Sequence, residues 1–231
     1  MAERPVFVPS DEECELVKTD IVEFDWFPGQ SKAQRQLSVG SFHRSIRTEL
    51  EIDRVLEIST KSESSLGRSL SAFNLEYKGL NRSYSLESLF QSSKKFELGG
   101  PYKDIKLMRA LDAKKDSRLT TSGRLVCFQS NGVSWPLEPY TLFYDWLYLN
   151  VVFQNGCFDD GLMRYQAFTD IEFNPKRSIN CQAYSAALYV SLARREMLET
   201  VLSSPDEFIN YITSFSKGRT TTSSNITRDL F

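Results

Sequence analysis

The stretch SYSLESLFQSSKKF, residues 83–96, sets Leu86, Leu89, Phe90 and Ser93 at i, i+3, i+4 and i+7, which is the spacing of a helix with a narrow apolar stripe. Ser85 stands before it as an N-cap, and Gly99-Gly100-Pro101 stops it. Downstream, the pattern predicts a helix over 103–119 and a hairpin over 123–137 turning at Asn131-Gly132. A long, mostly buried helix over 138–154 and a shorter one at 158–166 follow, then an irregular loop at 168–180 and helices over 181–198 and 205–215. Upstream, RVLEIST (54–60) reads as a short buried strand. Residues 62–83 read as a loop around Gly67 and Gly79, with one strand near Leu75–Tyr77. Residues 22–46 put alternating and aromatic positions around Pro28-Gly29 and then a polar stretch compatible with a helix. The whole is an α+β pattern, mostly helical with a few short strands.

Composition narrows the class. The chain has 231 residues, 41% hydrophobic and 25% charged, which is ordinary for one globular domain. A net charge of -2 says little about partners, because local patches decide. Cys14, Cys127, Cys157 and Cys181 form no CxxC pair and read as small buried thiols; His43 is the sole histidine, so no zinc-ligand pattern exists. No apolar run reaches the roughly 20 residues of a membrane span, and a reducing cytoplasm is expected. GxSxG, P-loop and GxGxxG patterns are absent, which leaves carboxylates and amides as the candidate chemistry.

On a helix, Glu87, Gln91 and Lys94 share one stripe beside the apolar one. They are either an i,i+4 polar pair with a solvated lysine or the wall of a cleft. Glu87 falls in the first turn, where the helix dipole favours a carboxylate; such a group suits steadying an oxocarbenium-like transition state or orienting water. A second cluster, FTDIEFNPKRSINCQA, holds Asp170, Glu172, Asn174 and Asn180 on a loop entering a helix. Turn and cap chemistry account for Asn174 and Asn180 equally well. Between Lys94 and Arg124, nine basic residues face only Glu97, Asp104, Asp112 and Asp116, which suits a phosphate-rich ligand or simply a solvated face. Tyr77, Tyr84, Tyr102, Trp135 and Tyr140 are candidates for stacking a base.

LSAFN (70–74), ESLFQSSK (87–94), RALDAKKDSR (109–118) and TDIEFNPKRSIN (169–180), in that order, resemble the NADAR (YbiA-like) family. LEISTKS and WPLEPYTLFYDWLY narrow the likeness to the branch associated with DarT-type toxins, which ADP-ribosylate guanine in DNA. Two positions differ from the family pattern: Ser88 stands where His often follows the motif Glu, and IEFNPKRSIN replaces a late Trp-Gly signature. The resemblance implies a YbiA-like fold in three parts: an N-terminal extension (1–54), an N-glycosidase domain (55–215) and a flexible tail (216–231). It implies an antitoxin that removes ADP-ribose from guanine without metal or cofactor. Catalysis would fall to Glu87 with Asp170 or Glu172. Ser71, Asn74, Gln91, Lys94, Lys114, Trp135, Asn174 and Asn180 would bind substrate. The implied partners are ADP-ribosylated DNA or ADP-ribose and the cognate toxin, with no membrane. The alternatives are a non-catalytic antitoxin that binds toxin or nucleotide, and a metabolic N-glycosidase acting on riboflavin-pathway intermediates.

Overall fold

The computed structural model describes residues 1–216 apart from Gln30, Cys157 and Arg177. The expected flexible tail (216–231), apart from its first residue, and Cys157 therefore lie outside the described residues. The chain opens with β1 (Ala2–Pro9), β2 (Val17–Phe24), α1 (Lys32–Leu50) and β3 (Val55–Glu57). There follow α2 (Ser65–Ser69), β4 (Glu76–Lys78), β5 (Ser83–Ser85), α3 (Leu86–Ser92) and β6 (Lys94–Phe96). Next come α4 (Ala110–Lys114), α5 (Arg118–Thr121), β7 (Leu125–Ser130), β8 (Val133–Trp135) and α6 (Leu142–Asn155). The described part ends with α7 (Asp159–Leu162), β9 (Ala167–Thr169), α8 (Gln182–Arg194), α9 (Leu198–Val201) and α10 (Pro205–Ser216). The fold is mixed α+β.

The central sheet has the order β2-β1-β9-β3, with β1 antiparallel to β2 and β9, and β3 parallel to β9. The two eight-residue strands β1 and β2 are longer than the short strands the hydrophobic pattern predicts. In β1 the reason is burial on both faces. Val6 faces α1, packed with Val22, Phe24, Phe42 and Ile46, whereas Phe7 faces α8, packed with Tyr184 and the main core. A strand covered on both sides loses the alternation that would reveal it.

The hairpin β7–β8 turns where Asn131 and Gly132 both take positive φ, 49° and 80°, the backbone such a two-residue turn needs. The expected helix over 103–119 is instead a 3₁₀ turn at Ile105–Leu107 followed by α4 and α5. Its polar face is used in local ties: Asp116 Oδ1 accepts from the Arg118 N–H at 2.9 Å and closes a turn between α4 and α5. α10 docks through Phe208 onto Trp135 and Trp146. Among the three described cysteines, only Cys181 is buried; Cys127 is half-buried, and Cys14 is exposed because it sits on the polar turn between β1 and β2. Among the described residues, no helix is long and apolar enough to cross a membrane.

Candidate active site

Ser85 caps α3: its Oγ accepts the Ser88 N–H at 3.1 Å. Ser88, in place of a histidine, is fully buried, and its hydroxyl donates to the Met108 carbonyl at 2.9 Å. The helix ends at Ser92 and not near Gly99. The hydroxyls of Ser92 and Ser93 both bond back to the Leu89 carbonyl, and Lys94 pairs with Phe128 in the β6–β7 ladder. Lys94 is thus a strand residue. Glu87 and Gln91 remain one turn apart on α3, each 6% exposed. The Gln91 Nε2 donates to Glu87 Oε1 at 2.9 Å, and Gln91 Oε1 is buried without a partner.

The second half of the site hangs from the end of β9. Asp170 accepts the Glu172 N–H at 3.0 Å on one oxygen and the Gln182 side-chain amide at 2.9 Å on the other. Burial, opposed by these bonds, pushes its carboxyl up to about 7. Glu172 pairs with the Arg35 guanidinium at 3.2 Å, and Arg35 in turn lies 4.7 Å over the Trp26 ring. Asn180 does not cap α8. Cys181 occupies that position, and Asn180 Oδ1 is buried without a hydrogen bond.

These halves meet across a cavity of about 310 Å³. Glu87, Gln91, Lys94, Lys114, Asp170, Glu172 and Asn180 all line it, and Gln182, Ser178, Ala72 and the rings of Phe73, Phe90, Tyr144 and Phe173 form the rest of the wall. Burial lowers the Lys94 ammonium below its ordinary range; Glu87 opposes this and Lys114 adds to it. Phe90, Lys94, Ser178 and Asn180 also border a larger apolar cavity of about 660 Å³, whose wall includes Phe128, Leu137 and Tyr140.

Four expected binding residues are elsewhere. Trp135 is 1% exposed inside the aromatic core and has no free face for a base. Asn174 folds onto its own loop, accepting the Lys176 N–H at 3.0 Å. Asn74 is exposed, and its amide donates to the Arg68 carbonyl at 2.8 Å. Ser71 is buried beneath the loop, where its carbonyl closes the turn to Asn74 and Leu75. The LSAFN loop meets the cavity through Ala72 and Phe73 instead.

Gln182 escaped the sequence reading, although it lies one residue past the Asn180-Cys181 pair. Its amide ties three segments. Oε1 accepts the Ala72 N–H at 2.7 Å, and Nε2 donates to the Ile58 carbonyl at 2.7 Å as well as to Asp170. The basic segment is also rearranged. Arg109 pairs with Asp112, Arg118 with Asp104 and Asp116, and Arg124 with Glu97.

A family model described as DarT1-associated NADAR antitoxin matches residues 2–222. No curated protein matches the chain.

Proposed function

The chain belongs to the family of DarT1-associated NADAR antitoxins, and from that premise we propose that it is an ADP-ribosylglycohydrolase acting on guanine bases in DNA. Membership supports an antitoxin role in a DarT system, and members of the wider NADAR family are generally N-glycosidase-like hydrolases. The observation that carries the finer reading is the meeting of Glu87 and Gln91, from α3, with Asp170 and Asn180, from far later in the chain, on one polar cavity.

In this reading the ribose that carries the guanine lies in the smaller cavity. Glu87 orients a water toward the anomeric carbon and takes its proton as the new C–O bond forms. The C–N bond breaks, and its electron pair leaves with the base. Asp170, raised to about 7 by burial, carries a proton in about half of the molecules at neutral pH, and that form gives it to the departing base. Glu172 is engaged by Arg35 and plays no part in that transfer. Gln91 Oε1 and Asn180 Oδ1, both lacking partners, accept from ribose hydroxyls. Lys94 and Lys114 meet the diphosphate, and the apolar cavity with Phe128 and Tyr140 takes a planar ring.

Mass spectrometry of an ADP-ribosyl-guanine oligonucleotide, incubated with and without the protein, tests the activity. Release of ADP-ribose and recovery of plain guanine are expected. A substrate left intact by the wild type would support the non-catalytic alternative, in which the chain neutralises its toxin by contact. One observation favours a smaller substrate: the three arginines of the basic segment are engaged by acids, which leaves lysines alone to track a strand. A phosphorylated ribosyl-amine nucleotide offered beside the oligonucleotide decides between the two.

A further inference from the structure

Beneath the cavity lies a carboxylate that the mechanism does not use. Glu57, at the end of β3, is 3% exposed. Its Oε2 accepts the Thr169 hydroxyl at 2.8 Å, and its Oε1 accepts the Ile171 N–H at 2.9 Å. These two residues flank Asp170 on either side. The Thr169 hydroxyl also lies 3.0 Å from His43 Nε2, on α1. A single side chain thus grips the chain immediately before and immediately after Asp170, while Gln182 holds the Asp170 carboxyl itself.

We propose that Glu57 is a positioning residue: from behind the pocket it clamps the backbone around Asp170 and so fixes where that carboxyl points. The inference rests on the glycosidase reading and adds to it a residue that never touches substrate. A clamp of this kind works best uncharged, because two neighbouring buried negative charges repel. Burial and the neighbouring Asp170 both push Glu57 up, to about 8, so at neutral pH it keeps its proton. The ionisable groups around the pair are consistent with this. Burial lowers His43 to about 4, so it is neutral. Tyr144, Tyr148 and Cys181 are all raised and neutral too. Of the remaining ionisable groups, Arg4 and Glu172 act on Asp170, Arg35 pairs with Glu172, and Glu87, Lys94 and Lys114 line the same cavity.

The test is the pH dependence of kcat and KM on the ADP-ribosyl-guanine oligonucleotide, for wild type and Glu57→Gln. The amide keeps both grips, since it accepts from Ile171 and meets the Thr169 hydroxyl, but it cannot ionise. At pH 7 its kcat and KM should stay within about threefold of wild type. On the alkaline side, its fall in kcat should be shallower than that of wild type by about one proton, because one of two ionisations is gone. Superimposable alkaline limbs would overturn the proposal. Thr169→Val, which cuts the side-chain grip and keeps Glu57, is the second variant. It should lower kcat about tenfold or more with KM little changed, and Thr169→Ser should restore it. Equal kcat in the valine and serine variants would overturn the clamp even if Glu57→Gln did not fold. A wild type inactive at every pH would remove the glycosidase reading and the clamp together, whereas an active wild type with insensitive variants would remove the clamp alone.

Discussion

Replacing Gln182 with methionine should cost the protein several kcal/mol. Methionine matches the length and volume of glutamine, so no cavity opens and only hydrogen bonding is lost. Three partners are stranded: the Ala72 N–H, the Ile58 carbonyl and one oxygen of Asp170. Ala72 is 3% exposed and Ile58 is fully buried, so water does not reach them readily. Each such orphaned group costs about 1–3 kcal/mol. Asp170 faces the cavity, where water replaces part of its loss. The sum is about 3–5 kcal/mol, a large share of the roughly 5–15 kcal/mol that holds a domain together. For a chain of this size that is a fall of about 6–20 °C in Tm. Urea and thermal unfolding at pH 7 measure it, and an unchanged urea m-value would confirm that the folded state is otherwise intact. The same substitution removes a bond that favours the Asp170 anion, so the alkaline fall in activity should move to higher pH. A loss under about 1 kcal/mol would refute the reasoning, because it would mean that Gln182 is not the tie between these three segments.

Further outcomes are expected. Glu87→Gln keeps shape and should lower turnover by about two to four orders of magnitude with the melting point little changed; wild-type rates would exclude Glu87 from the chemistry. Phe208→Ala, which removes the contact of α10 with Trp135 and Trp146, should cost about 3–5 kcal/mol in denaturant unfolding. Asp145 is buried against the Ser185 hydroxyl at 2.6 Å and is raised to about 7, mainly by burial. The folded state therefore holds a proton that the unfolded state releases near pH 4, and the stability it contributes is full below that pH and lost on rising to about 7. Asp145→Asn should flatten stability against pH in that window by about 1 kcal/mol per pH unit. His43, lowered to about 4, acts in the opposite sense: its contribution is present above about 6.5 and lost as pH falls to 4.

What was legible in the sequence was local. Ser85 as a cap, Asn131-Gly132 as a turn, and the helices that became α6, α8 and α10 each depend on a few neighbouring residues whose propensities agree. Glu87 and Gln91 were readable because helical spacing alone puts them on one side. The rest depended on partners remote in sequence. Lys94 left the helix because Phe128 offered it a strand, and β1 hid because both its faces are covered. Trp135 looked like a stacking platform until Trp146 and Phe208 closed over it. Ser71 and Asn74 carry the familiar polar letters of their motif but turn the loop, while the apolar Ala72 and Phe73 between them face the cavity. Glu57 looked like one polar residue in a buried strand; only the return of β9 alongside β3 gave it Thr169 and Ile171 to hold.

The pairing of Phe7 with Phe168 joins two strands about 160 residues apart along the chain. During synthesis β1 waits, paired with β2 alone, until β9 emerges, and the wall holding Asp170 is incomplete until Gln182 has followed it. A chain released only as far as β9 therefore has no finished cavity and leaves the α8-facing side of β1 bare, which exposes it to proteases and chaperones.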